Sequence, residues 1–275
     1  MRIRVRHETR YLYSTPVRLG RHHLRFLPRD GEVDVVAARI DVDPVPAFYA
    51  ETVDRHGNRV VTVDFDGVTD RFHVVGRFEV ETAPPPALTP PLPPLPWGDD
   101  DADDLAAYRD APDLDDTVRA FADDLATSSR GEPTVFLERL TETLFRRTDR
   151  YIRSGGYAQS PAETLALRSG ACRDVTALFL AAARAEGLAA RFVSGYQARS
   201  ESADGRRHLH AWPEVFLPGV GWRGFDPTHG LPVTDGHVAV CAGPDQRATM
   251  PIEGSFFGSG VSSTLDYEVA IDVDD

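Results

Sequence analysis

Along residues 1–83 the apolar positions alternate with polar ones in short segments. Ile3–Val5, Val33–Val42, Val60–Phe65 and Phe72–Val80 are broken by the turn signals Arg29-Asp30-Gly31, His56-Gly57-Asn58 and Asp66-Gly67. A period of two bounded by Gly, Asp and Asn predicts half-buried antiparallel strands, and so a β-sandwich-like domain. The period then changes. Val118, Phe121, Ala122 and Leu125, and again Phe136, Leu140 and Leu144, recur at helical spacing and predict two helices. Cys172–Glu186 reads as an apolar helix closed by Gly187. Arg191–Gln197, Leu209–Leu217 and Gly221–Asp226 read as strands, with further short strands toward residue 275. One helix followed by a run of antiparallel strands is an α+β arrangement.

Between these regions residues 84–96 hold eight prolines in thirteen positions, and eleven aspartates follow between Asp99 and Asp124. The proline run predicts an extended spacer. The acidic run lacks the glycine and the bidentate glutamate of a calcium loop and reads as solvated. The segmentation is therefore 1–83 for an N-terminal β domain, 84–116 for a linker and 117–275 for a mixed α+β domain.

Composition narrows the partners. Thirty basic residues, all arginine, face 43 acids, for a net charge of −13. That balance disfavours nucleic acid and anionic membrane surfaces as partners. The first residues carry no apolar core of a secretory signal, and two cysteines make no disulfide scaffold, so a reducing cytoplasm is the expected setting. No P-loop, dinucleotide fingerprint or structural zinc spacing is present, and no cofactor is expected.

The chemistry concentrates at Cys172. A thiol at a helix N-terminus is stabilised as thiolate by the unpaired N–H groups, and Gly170 and Ala171 leave room for a substrate carbonyl. Cys241, in an alternating apolar stretch, reads as core. His210 shares a strand face with Trp212, Glu214 and Phe216, and is a candidate base for Cys172. Asp226 is its candidate orienter. This carries a geometric condition. A regular four-residue tip at 218–221 would turn Asp226 away from His210, whereas an odd tip centred on Pro218, or a bulge, would bring it opposite. Asp174 reads as an ordinary helix-start acid. His208 and His210 form a His-x-His pair with no evident third metal ligand.

Together these motifs resemble the transglutaminase-like superfamily of papain-like thiol enzymes, in its bacterial and archaeal branch. The resemblance rests on Gly170-Ala171-Cys172-Arg173-Asp174, His210-Ala211-Trp212-Pro213-Glu214-Val215 and Gly224-Phe225-Asp226-Pro227-Thr228. Outside the site it rests on Tyr13–Val17, Leu24–Arg29, Asp54–Asn58, Gly195-Tyr196 and the segment 242–254. Two residues depart from the pattern. Pro213 replaces an apolar strand residue and calls for a bulge or an edge, and Pro244 stands where arginine is usual.

The resemblance implies Cys172 as nucleophile, His210 as general acid and base, and Asp226 as orienter. Trp212 is assigned either to the cleft or to the core. Cys172 N–H is the first expected oxyanion donor, with Tyr157 or Gln159 behind it. The implied activity is acyl transfer or hydrolysis on protein or peptide amides through a thioester. The alternatives are a non-catalytic scaffold of the same fold and, third, a zinc hydrolase.

Overall fold

The computed structural model describes the chain except residues 86–91, 98–102, 112–113, 154, 199–204 and 275. Part of the proline run and the start of the acidic run thus lie outside the described residues. Among the described residues no helix is long and apolar enough to cross a membrane.

The chain opens with one 23-residue strand, β1 (Arg2–Leu24), followed by β2 (Asp34–Asp43), β3 (Phe48–Val53), β4 (Arg59–Asp64) and β5 (Thr69–Glu81). All are antiparallel in the order β2-β5-β1-β4-β3. The start of β1 alternates Arg2, Arg4 and Arg6 with Ile3 and Val5, and only the latter pair is buried. Its register with β5 shifts between Leu12 and Val17, and there the strand turns. Side chains from β1, β2, β4 and β5, among them Val17, Leu24, Ile40, Val63 and Phe72, then meet in one cluster. The antiparallel layers expected of a sandwich are thus halves of a single sheet curled into a half-barrel.

The middle of the chain is helical: α1 (Ala106–Arg109), α2 (Asp116–Ser128) and α3 (Pro133–Arg147), then the two-residue strand β6 (Asp149–Arg150), α4 (Pro161–Leu167), β7 (Ser169–Gly170) and α5 (Cys172–Ala185). The Asp115 side chain caps α2 by accepting from Thr117 N–H, and Ser160 with Glu163 forms a capping box on α4. Next come β8 (Ala190–Gln197), β9 (His210–Leu217), β10 (Gly221–Asp226), β11 (Leu231–Pro232) and β12 (His237–Gly243), a second sheet in the order β11-β10-β9-β8-β12. Leu137, Leu140, Val175, Leu178 and Phe179 of the helices pack on Phe192, Val215, Leu217 and Phe225 of this sheet. A separate cluster joins Ile3, Val5, Phe78 and Val80 of the half-barrel to Tyr196, Val238, Val240 and Cys241. The two sheets therefore share a core.

Two features differ from the sequence segmentation. The last strands, β13 (Ile252–Phe257) and β14 (Ser263–Asp274), pair with β1 rather than with the second sheet, and β14 runs from Arg2↔Asp274 to Tyr13↔Ser263. Residues placed with the third segment thus complete the half-barrel, because β1 exposes a long edge that local pattern does not reveal.

The linker also does more than space. Leu92, Leu95 and Trp97 pack on the helical core. Leu95 N–H donates to Gly131 O and Trp97 N–H to Glu186 O, at 2.7 and 2.9 Å. The proline-rich segment is a strap across the ends of α2 and α5. Farther on, Tyr108 of α1 hydrogen-bonds His56 of the half-barrel and stacks edge-on with Trp222 of β10.

Gly187 is needed at the strap. Its φ is +79°, and a Cβ there would lie 1.9 Å from Trp97 O. Gly187→Ala is expected to destabilise the fold by at least ~1–2 kcal/mol from the left-handed backbone alone. A thermal melt that leaves the midpoint unchanged would count against the strap's role.

Candidate active site

The candidate residues gather where α5, β9, β10 and β12 meet. Cys172 is the first residue of α5, half-buried, on the wall of a cavity of about 770 Å³. The helix start is fixed from below by Asp174, which is fully buried. Its Oδ2 accepts from Ala171 N–H at 2.7 Å, and its Oδ1 accepts from Gln159 N–H and Arg153 Nη2–H, both at 2.8 Å. Asp174 is therefore more than a helix-start acid: it ties the turn before Cys172 to Arg153 and Gln159. Gly170 serves this tie. A Cβ there would lie 2.8 Å from Asp174 Cβ, so close approach, not turn geometry, requires the glycine.

The β9–β10 hairpin has the odd tip expected from the sequence, but not its expected centre. Leu217 pairs with Gly221, leaving a three-residue tip, Pro218–Val220, centred one residue beyond Pro218. Odd parity puts Asp226 on the face of His210, and the register sets the two diagonally rather than directly opposite. His210 Nε2–H donates to Asp226 Oδ2 at 2.9 Å. With Nε2 so occupied, Nδ1 is the ring nitrogen left for Cys172, with which His210 also hydrogen-bonds.

Pro213 lies in an interior strand and needs neither edge nor bulge. Phe216 N–H donates to Ala189 O, just before β8, so odd positions of β9 direct their N–H toward β10. The β10 ladder stops at Gly224↔Glu214, just where Pro213 has no donor to offer. Ala211 N–H, two residues back and on the same side, is free of that ladder and donates to the Cys172 sulfur.

Electrostatics follow from these contacts. Burial alone would raise the Cys172 thiol, but the hydrogen bond and charge of His210, Ala211 N–H and Arg173 outweigh it and hold the thiol below its ordinary value. Burial would lower His210, but Asp226 and Cys172 overcome it and raise the imidazole to about 10. Asp226 is also buried, yet His210 and its other donors hold it well below the usual carboxylate range. A thiolate–imidazolium pair on a charged carboxylate is the arrangement these shifts favour. Cys241 is the contrast: fully buried in the shared core and pushed up to about 12 by burial.

The sequence did not single out two further histidines. His229 Nδ1–H donates to Asp226 Oδ2 at 2.7 Å and His237 Nε2–H to the same oxygen at 3.1 Å. Oδ1 accepts from Thr228 N–H and His229 N–H. His237 Nδ1 accepts from Thr234 N–H, which fixes its tautomer, and burial lowers its pKa, so it acts as a neutral donor. His229 had a local signal, three residues after an aspartate in an Asp-Pro turn. His237, on a separate strand, had none.

Three other assignments change or resolve. Trp212 belongs to the core: it is 1% exposed, packed with Val193, Ala239 and Ala242, its ring against His210 and His237. Tyr157 and Gln159 do not line the cavity. Gln159 spends its backbone N–H on Asp174 and its amide on Tyr151 OH, and Tyr157 is 59% exposed under Arg247. His208 bonds Tyr267 OH rather than sharing a metal with His210. The set with metal-ligand proximity is His210, Asp226 and His229, whose donor atoms lie within 4.8 Å of one another. Within it, His210 and His229 each hydrogen-bond Asp226 Oδ2.

The cavity is walled from both sheets. His7, Thr9 and Tyr11 of β1, Ile252 of β13, and Leu265 and Tyr267 of β14 face the Cys172 side. The half-barrel is thus part of the cleft.

Comparison with known proteins agrees with this architecture. Residues 3–81 match the model of the bacterial transglutaminase-like N-terminal region, and residues 119–227 match that of the transglutaminase-like superfamily. An uncharacterised protein of Mycobacterium tuberculosis is 30% identical over 304 residues, covering 99% of this chain and 92% of that protein. One of Mycobacterium leprae is 24% identical over 286 residues, covering 99% and 98%. Among solved structures, a Cytophaga hutchinsonii protein proposed to be a cysteine protease superposes with a TM-score of 0.70 at 20% identity, covering 100% of this chain and 92% of its own. With both sequence regions matched in order, the chain belongs to the transglutaminase-like superfamily, with the bacterial N-terminal region joined to its core.

Proposed function

We propose that the protein opens amide bonds of proteins or peptides through a thioester on Cys172. The observation that carries this reading is the paired shift of Cys172 downward and His210 upward over a charged, five-times hydrogen-bonded Asp226. The Cys172 thiolate attacks the carbonyl carbon, forming the C–S bond and an oxyanion within reach of the first-turn N–H groups of α5. His210 gives its proton to the amine as the C–N bond breaks. Water or an amine, deprotonated by His210, then takes the acyl group and restores the thiolate. Water makes the enzyme a peptidase or amidase; an amine makes it a transferase. The chain has no lysine, so a lysine acceptor must belong to another molecule.

The two free cysteines give an internal control. With iodoacetamide at pH 6, Cys172 is expected to alkylate faster than free cysteine by on the order of tenfold or more, while Cys241 stays unlabelled. Incubation with amide substrates is expected to add an acyl mass to Cys172, and Cys172→Ala to abolish turnover. A Cys172 no more reactive than free thiol would favour the scaffold reading. Incorporation of an amine probe distinguishes transferase from hydrolase.

A further inference from the structure

The cleft reverses the charge of the molecule that holds it. The chain carries a net −13, yet among the described residues no aspartate or glutamate lines the cavity, whereas Arg150, Arg153, Arg173 and Arg207 do. An acidic surface repels anions, and a basic cleft within it focuses them.

The wall beside the nucleophile is the informative part. Arg153 is spoken for by buried Asp174. Arg173, next to Cys172 and half-buried, is not: its Nη1 and Nη2 donate to the backbone carbonyls of Arg153 and Gly155. Its Nε is buried with no partner, and no carboxylate forms an ion pair with it among the described residues. Arg150 likewise donates to the carbonyls of Phe145 and Thr148 and lies over the Phe145 ring at 4.4 Å, with no acidic partner among the described residues. A cation taken partly out of water is ordinarily matched by an anion. Burial and Arg153 weigh against the charge of Arg173, and the Cys172 thiolate is the first of the groups that offset them, with Asp174 behind it. On acylation the sulfur becomes neutral, and Arg173 loses that share of its match unless the acyl donor brings its own negative charge.

Resting on the thioester reading above, we propose that the acyl donor is an acidic peptide, with a carboxylate side chain flanking the attacked amide and received by Arg173 and Arg150. The apolar wall of Ile152, Ile252 and Leu265 takes the rest of the chain.

The test uses the full chain and follows alkylation of Cys172 by iodoacetamide, in which the thiolate displaces iodide. Tetraglutamate, tetraglutamine and inorganic phosphate are added as protectants, each rate being compared with that variant's own unprotected rate. Tetraglutamate is expected to protect at concentrations about tenfold below tetraglutamine, as a charge-assisted contact allows, and less well in high salt. Arg150→Gln, at an exposed position, and Arg173→Gln should each remove most of that preference, and Arg173→Lys should restore part of it. Equal protection by tetraglutamine, equal protection by phosphate, or a preference that survives Arg150→Gln together with Arg173→Gln overturns the inference. The two readings fail separately. A Cys172 as slow as free cysteine without protectant defeats the thioester reading, whereas a fast Cys172 that ignores tetraglutamate defeats only the acidic donor.

Discussion

Asp226→Asn is expected to lower amide turnover by about 10³–10⁴-fold, the loss seen when the orienting carboxylate of a catalytic triad becomes an amide. The geometry here gives that loss two sources. Oδ2 receives three imidazole N–H groups and Oδ1 two backbone N–H groups. An asparagine has one oxygen and one NH₂, so either orientation sets donor against donor. The missing charge acts as well. Asp226 raises His210, and without it burial drives the imidazole down. The thiol then loses its cationic partner at neutral pH and reverts toward the higher value that burial imposes. Alkylation of Cys172 at pH 6–7 should slow accordingly and recover only at higher pH. Turnover within tenfold of wild type, with an unshifted alkylation profile, would remove Asp226 from the mechanism. The wild-type sign is consistent: the raised His210 contributes stability at low pH that is lost as pH rises through about 10, and the depressed Asp226 contributes stability lost only well into acid.

The second large effect concerns the junction between the sheets. Arg191 of β8 is 7% exposed, paired with Glu214 of β9 and reaching Glu32 of the half-barrel at 3.1 Å, with its guanidinium over Trp222. Glu32 is already raised, by burial and then by Glu214. Arg191→Leu leaves two carboxylates facing each other without this cation. The expected cost at pH 8 is ~3–5 kcal/mol, a drop on the order of 10 °C in melting midpoint for a chain of this size. The deficit should shrink toward pH 5, where Glu32, raised by burial and by Glu214 and left with Arg29 alone, takes up a proton. Arg191→Leu combined with Glu214→Leu should recover most of it. A single variant that melts like wild type at pH 8 would show that the cluster holds nothing together.

The site was legible where chemistry is local. A helix start and a strand parity are short-range facts, so Cys172, His210 and the odd tip before Asp226 could be read from spacing. What escaped depends on distance along the chain. His237 reaches Asp226 from another strand, and Asp174 holds Arg153 and Gln159 as well as the start of its own helix. Leu95 and Trp97 dock because Gly131 and Glu186 happen to present free carbonyls. Composition alone describes that segment as a spacer. Pro213 looked like a defect because its strand's neighbours were unknown. Once β10 is seen to leave at Gly224, the missing N–H falls where none is needed.

The long pairing of β14 with β1 has a consequence in time. Cys172, His210 and Asp226 all leave the ribosome before Leu265 and Tyr267, which form part of the cleft wall. At about 5–20 residues per second, a nascent chain carries its reactive groups for seconds before that wall exists. Order of synthesis thus splits the cleft: His7, Thr9 and Tyr11 are made first, Cys172 in the middle, and the last of the wall at the end.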